Sequence, residues 1–184
     1  FPLLWAQGAY TRRVVPRMPE PDGEREGVRG EGTPLRLLIV GDSSAAGVGA
    51  STQEEALSGQ LATHLATLRQ FSWKLVASSG ITTEQALGLI QAEPAARFDA
   101  ALVAIGGNDV TEGITPKRWV DRLQRLTGAL RTRFDVTRVM FSVLPPMHLF
   151  PALPQPLRWY IGERALKFNR HLAAYVRGNE HCAL

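Results

Sequence analysis

The chain has 184 residues, 45% apolar and 21% charged, with a net charge of +4; that suits one ordinary globular domain with a substantial core. The basic excess is mild and scattered, with a small collection at Arg12, Arg13 and Arg17, and no Lys/Arg stripe interleaved with aromatics marks a nucleic-acid face. A single cysteine, Cys182, excludes an intramolecular disulfide, and no Cys/His spacing suits zinc, so neither metal nor organic cofactor is expected.

Residues 1–34 read as an N-terminal arm and linker. Phe1-Pro2-Leu3-Leu4-Trp5-Ala6 is apolar but far too short to span a bilayer. It reads as an arm or helix packed on the domain; the alternative is the tail of an anchor or signal segment, which would allow membrane association. Residues 16–34 are rich in proline, glycine and charge, the pattern of an extended linker.

The domain proper is expected over 35–184. Leu35-Arg36-Leu37-Leu38-Ile39-Val40 is a short apolar run, as in a buried strand of a parallel sheet. A helix is predicted over 54–68, with Leu57, Leu61, Leu65 and Leu68 on one face. A second strand is expected at 73–77, then a helix to about Ala92 capped by Thr82 or Thr83. The third strand, 100–105, ends in Gly106-Gly107-Asn108-Asp109. A helix over 116–133 turns Trp119, Leu123, Leu126 and Leu130 inward. The fourth strand, 139–144, stops at Pro145-Pro146, and a proline-rich loop leads to a last helix over 157–176. Four strand–helix units argue for a parallel sheet covered on both faces. A fifth strand is expected where the chain reaches Leu184, so the domain is expected to lack its last strand.

Sites in such sheets form beyond the carboxyl ends of the strands. Gly41-Asp42-Ser43-Ser44, Ser79-Gly80, Gly106-Gly107-Asn108-Asp109 and Pro145-Pro146-Met147-His148 stand there. An acyl-transfer serine needs an exposed hydroxyl on a tight turn, with donors around the developing oxyanion. Gly41 lets the chain leave the strand sharply, Ser43 opens the next helix, Gly80 brings a backbone N–H close, and Asn108 offers an amide. Asp42 reads as shaping the turn, and Asp109 as structural.

This set of blocks, in this order and at these strand ends, resembles the SGNH hydrolase superfamily, the GDSL-like lipases/acylhydrolases, over about 35–177. The resemblance implies a three-layer α/β/α, flavodoxin-like fold and a small-molecule ester or acyl substrate. It implies Ser43 as nucleophile, with the Ser43 N–H, Gly80 N–H and Asn108 side chain as oxyanion hole. The chain departs from the family at Ser44, where many members have Leu. It also departs at the last block, Asp-x-x-His, which supplies the base and its orienting acid: no such block follows residue 110.

Of the four histidines, His64 reads as a helix-face residue and His171 as partly buried structure. His181 is placed near the expected fifth strand, and His148 points toward the active rim as a candidate binding residue. The base is therefore expected downstream of Leu184, and the 184 residues alone are expected to be much less active. The loop 147–155, with Leu149, Phe150 and Leu153, reads either as an acyl-pocket wall or as packing on the last helix. Two other functions remain open: a catalytically impaired SGNH-like binding module, and a phosphate- or nucleotide-binding α/β domain built on the glycine-rich turn 41–49. The latter lacks both a P-loop Gly-Lys-Ser/Thr and a complete G-x-G-x-x-G.

Overall fold

The computed structural model describes residues 2–16 and 18–184; Phe1 of the apolar start and Arg17 of the basic collection lie outside the described residues. A helix, α1 (Pro2–Val14), comes first, followed by a short strand, β1 (Glu26–Arg29). The remaining elements are β2 (Leu35–Gly41), α2 (Ser43–Ala46), α3 (Leu57–Leu65), β3 (Phe71–Ala77), α4 (Thr83–Ala92), β4 (Ala100–Ala104), α5 (Gly107–Glu112), α6 (Pro116–Phe134), β5 (Arg138–Phe141), α7 (Leu157–Arg177) and β6 (Cys182–Ala183).

The six strands form one open sheet in the order β1-β3-β2-β4-β5-β6. All neighbours pair parallel except β1, which is antiparallel to β3. Leu38 and Val40 of β2 face a core with α4, α6 and α7; Leu37 and Ile39 face a second core with α2 and α3. Alternate side chains of one strand enter opposite layers, so the apolar run of β2 is what a sheet buried on both faces requires. This is the α/β/α architecture.

Four features differ from the sequence reading. First, residues 26–29 are an edge strand, not extended linker. Glu-Gly-Val-Arg carries no alternating apolar pattern, and its hold comes from the β3 ladder and from Arg29, whose guanidinium lies 5.3 Å from the Trp73 ring centroid. Second, the fifth parallel strand has begun: Cys182 and Ala183 pair with Val139 and Met140. Third, the helix expected over 54–68 spans only Leu57–Leu65, its buried residues are Ser58, Gly59 and Ala62, and Leu68 is exposed. Leu57, Leu61 and Leu65 pack half-buried against the core under α3, while Gly59 makes room for the preceding loop: a Cβ there would stand 2.4 Å from the Gln53 carbonyl oxygen. Fourth, His171 is exposed; Phe168 and Leu172 fill the inward face of α7, and His171 bonds through Nδ1 to the Lys167 carbonyl at 2.9 Å.

Candidate active site

Ser43 is the first residue of α2, a four-residue helix at the carboxyl end of β2. Gly41, still in the ladder, pairs with Ala77 and Ala104. A Cβ there would lie 2.1 Å from the Ala104 carbonyl oxygen, so the absent side chain lets neighbouring strand ends close in. Asp42 caps α2, accepting the Ser44 N–H at 3.0 Å through Oδ1 and the Gly106 N–H at 3.3 Å through Oδ2. One carboxylate therefore ties the serine turn to the turn after β4. Burial pushes the Asp42 pKa up, against the lowering effect of the N–H groups of Ser44 and Gly106.

Gly80 stands in the β3–α4 loop with φ +82°, a left-handed conformation that glycine adopts without strain. The space where a Cβ would stand is open, and the loop is tied by hydrogen bonds on either side of Gly80. Asn108, on α5, donates through Nδ2 to the Ile81 carbonyl at 2.9 Å, joining the third strand end to this loop. Neither the Ser43 nor the Gly80 N–H has an acceptor among the described residues.

Ser43, Gly80 and Asn108, far apart in sequence, line one cleft of about 1170 Å³. Leu4, Trp5 and Gly8 of α1 line it on one side, and Leu157, Tyr160 and Ile161 of α7 also face it. Gln7 fastens α1 to the start of α7. Its Nε2 donates to the Gln155 carbonyl at 2.6 Å, and its Oε1 accepts the Leu157 N–H at 3.1 Å.

His148 does not join this group. It is exposed on a short 3-10 turn, Met147–Leu149, and its backbone lies against Gly162 of α7. None of the four histidines lines the cleft. Of the loop expected as an acyl-pocket wall, Leu153 faces the cleft, whereas Leu149 and Phe150 do not and are exposed. Asp109 is fully buried behind the site. Its Oδ2 accepts both the N–H and the hydroxyl of Thr83, and its Oδ1 accepts from Arg122 at 2.8 Å. Trp119 closes the network by donating to the Thr83 hydroxyl at 3.0 Å.

Sequence reasoning missed Glu20, Arg25 and the cleft-facing side of α1. Glu20 faces the cleft and accepts the Ser79 N–H at 2.5 Å. Burial raises its pKa, but the bonds from the Ser79 N–H and Arg25 outweigh this and leave it lowered. The signal was weak, since both residues sit in a Pro/Gly-rich stretch without periodicity. Among the described residues no cluster of His, Cys, Asp and Glu could hold a metal ion, and no helix is long and apolar enough to cross a membrane.

Known proteins resemble this chain in both sequence and fold. A GDSL-like esterase of Mycobacterium tuberculosis is 32% identical over 193 residues, an alignment covering 95% of this chain. The chain spans 60% of the length of that curated relative. The SGNH-hydrolase family esterase AlinE4 superposes with a TM-score of 0.63 at 21% identity, over 84% of this chain and 77% of that one. TesA gives 0.62 at 22% identity, over 81% and 77%. An extracellular lipase from Streptomyces rimosus gives 0.55 at 17% identity, over 81% and 79%. At these identities the solved structures speak for the fold. The family model of the GDSL-like lipase/acylhydrolases matches residues 39–184, from within β2 to the end of the chain. The chain belongs to the GDSL-like lipase/acylhydrolase family.

Proposed function

We propose that this protein hydrolyses esters through an acyl-enzyme on Ser43. The observation that carries the reading is the meeting of Ser43, Gly80 and Asn108, from three strand ends, on one cleft. The Ser43 hydroxyl attacks the ester carbonyl, and a base takes its proton. Negative charge gathers on the former carbonyl oxygen, which accepts from the Ser43 N–H, the Gly80 N–H and the Asn108 amide. Asn108 uses one amide hydrogen on Ile81 and has a second to offer. Collapse expels the alcohol, which takes the proton from the base; water then releases the acid by the same steps. Fixed donors aimed at developing charge lower the barrier because they need no reorganisation during reaction.

The base is proposed to come from an Asp-x-x-His segment outside these 184 residues, as the family resemblance implies. Leu102 and Met140 are half-buried on the α2/α3 face of the sheet, which offers such a segment an apolar surface beside β6. The substrate is proposed to be a small-molecule ester. A phosphate-binding reading is disfavoured by Asp42, whose buried carboxylate already caps the α2 N-terminus where an anion would sit.

A catalytically impaired binding module is the second reading: among the described residues no histidine lines the cleft. Ser43→Ala separates the two. Under the first reading, hydrolysis of a short p-nitrophenyl ester by the protein carrying this chain falls by several orders of magnitude, and a fluorophosphonate no longer labels it. A rate unchanged by Ser43→Ala would leave the binding module.

A further inference from the structure

Gly80 is exposed, and the space where its Cβ would stand is open, yet an oxyanion donor must be aimed to within a fraction of an ångström. The peptides on either side of it are fixed from opposite directions. Beyond Gly80, Asn108 holds the Ile81 carbonyl. Before it, the Ser79 N–H donates to Glu20 Oε1. Glu20 Oε2 accepts from Arg25 Nη1 at 2.7 Å, and Arg25 Nη2 donates to the Ala77 carbonyl at the end of β3. Carboxylate and guanidinium thus grip two successive points of the loop.

The gripping segment is itself anchored. The Asp22 carbonyl accepts the Gln53 N–H at 2.8 Å, and the Arg25 carbonyl accepts the Leu75 N–H at 2.6 Å. Buried Gln53 donates through Nε2 to the Ala46 carbonyl at 2.8 Å, at the end of the nucleophile helix, and to the Pro21 carbonyl at 3.4 Å. A continuous chain of contacts therefore runs from α2 through Gln53, the 20–25 segment, Glu20 and Arg25 to the Gly80 loop. Of this chain only the 20–25 segment lies before residue 39, where the match to the family begins.

We propose that Glu20 and Arg25 are positioning residues that hold the Gly80 N–H at a fixed distance and angle from Ser43; the inference rests on the reading of Gly80 as an oxyanion donor. Neither residue touches the reacting atoms. Arg25 acts through the Ala77–Ser78 peptide and Glu20 through the Ser78–Ser79 peptide. Removing the grip leaves Ser43, Asn108 and the α1 and α7 walls of the cleft in place, so the loss is expected to fall mainly on the transition state rather than on substrate binding.

The test is steady-state kinetics on the protein carrying this chain, comparing wild type with Glu20→Ala, Glu20→Gln, Arg25→Ala and Ser43→Ala on a p-nitrophenyl ester. Inhibition by an alkylboronic acid, a mimic of the tetrahedral oxyanion, is measured alongside. A full oxyanion donor is worth about 10²–10³ in kcat, and misplacement by about 1 Å can cost about 10². Glu20→Ala and Arg25→Ala are therefore expected to lower kcat about ten- to a hundredfold with KM nearly unchanged. Boronate affinity should weaken by the same factor. Glu20→Gln keeps an acceptor for the Ser79 N–H and is expected to recover part of the loss. Hydrogen exchange at the Ser79 amide, faster in Glu20→Ala but not in Ser43→Ala, reports the grip independently of turnover. If Ser43→Ala abolishes hydrolysis while both alanine variants keep wild-type kcat and boronate affinity, the positioning role is overturned and the ester-hydrolase reading stands. If Ser43→Ala itself keeps the wild-type rate, the underlying reading has failed instead.

Discussion

Asp109 has no solvent exposure, and a buried carboxylate is costly unless its oxygens are satisfied. Here the Thr83 N–H and hydroxyl and Arg122 satisfy it, while Arg122 also meets Glu112 at 2.7 Å. The cluster joins the first turns of α4 and α5 to the middle of α6, just behind Asn108. Asp109→Ala would leave the Thr83 N–H without its acceptor and a nearly buried guanidinium short of a partner. Breaking a buried pair from one side costs about 3–5 kcal/mol. That loss is expected in urea unfolding, as a lower midpoint at unchanged slope; a midpoint within error of wild type would refute it. The place of Asp109 after a strand was legible in the sequence because strand ends are marked by the switch from apolar run to glycine. Its partners were not, since Thr83 lies 26 residues away and Arg122 lies 13 away. Only the packing of α4 on α6 brings them together.

At the scale of elements, legibility followed periodicity. The α6 stripe Trp119, Leu123, Leu126 and Leu130 is buried as its spacing predicts, and Pro116 opens that helix where a missing N–H costs nothing. At α3 periodicity placed Leu57, Leu61 and Leu65 on the core face but overran the helix at the exposed Leu68, and it was silent on β1. For α1 the apolar start was readable, but its seat was not: no residue of α1 is buried, and Gln7 is a polar side chain whose partners lie 148 and 150 residues away. A helix with so little burial draws its local stability from such bonds. Each contributes about 0.5–1.5 kcal/mol net, so Gln7→Ala is expected to speed hydrogen exchange of the α1 amides about tenfold. Protection in β2, β3 and β4 should stay as it was. Equal exchange in α1 of variant and wild type would show that the clamp does not hold the helix. Because Leu4, Trp5 and Gly8 line the cleft, the clamp also sets the shape of one wall of the site.

Across the whole molecule, the ionised groups divide into two sets with opposite linkage to acid. Glu20, Glu54 and Glu84 titrate below their ordinary 4.5, and Asp99 below its ordinary 3.8. Each of the four has an arginine partner. A carboxylate lowered in the folded state contributes stability above its ordinary pKa and loses it as pH falls through the folded value. Asp42 runs the other way: burial raises it above 3.8, so the folded protein holds that proton more tightly than the unfolded chain. Its contribution is complete below 3.8 and disappears as pH rises through the folded value. On acidification from neutral, the paired carboxylates therefore steepen the fall in Tm while Asp42 flattens it. Asp42→Asn removes only the flattening. Asparagine caps a helix about as well as aspartate, and whatever the lost Gly106 contact costs is a constant offset, whereas proton linkage appears in the slope. Tm measured from pH 7 to pH 3 is expected to fall more steeply in Asp42→Asn than in wild type. At about 1 M salt the Debye length shrinks to about 3 Å, and the exposed arginine pairs weaken with it. The slopes of both proteins should then become shallower, but their difference, which arises from desolvation of a buried carboxyl, should persist. Parallel curves at both salt concentrations would mean that burial does not raise the Asp42 pKa, and that the turn under Ser43 is held by a carboxylate that titrates as it does in the unfolded chain.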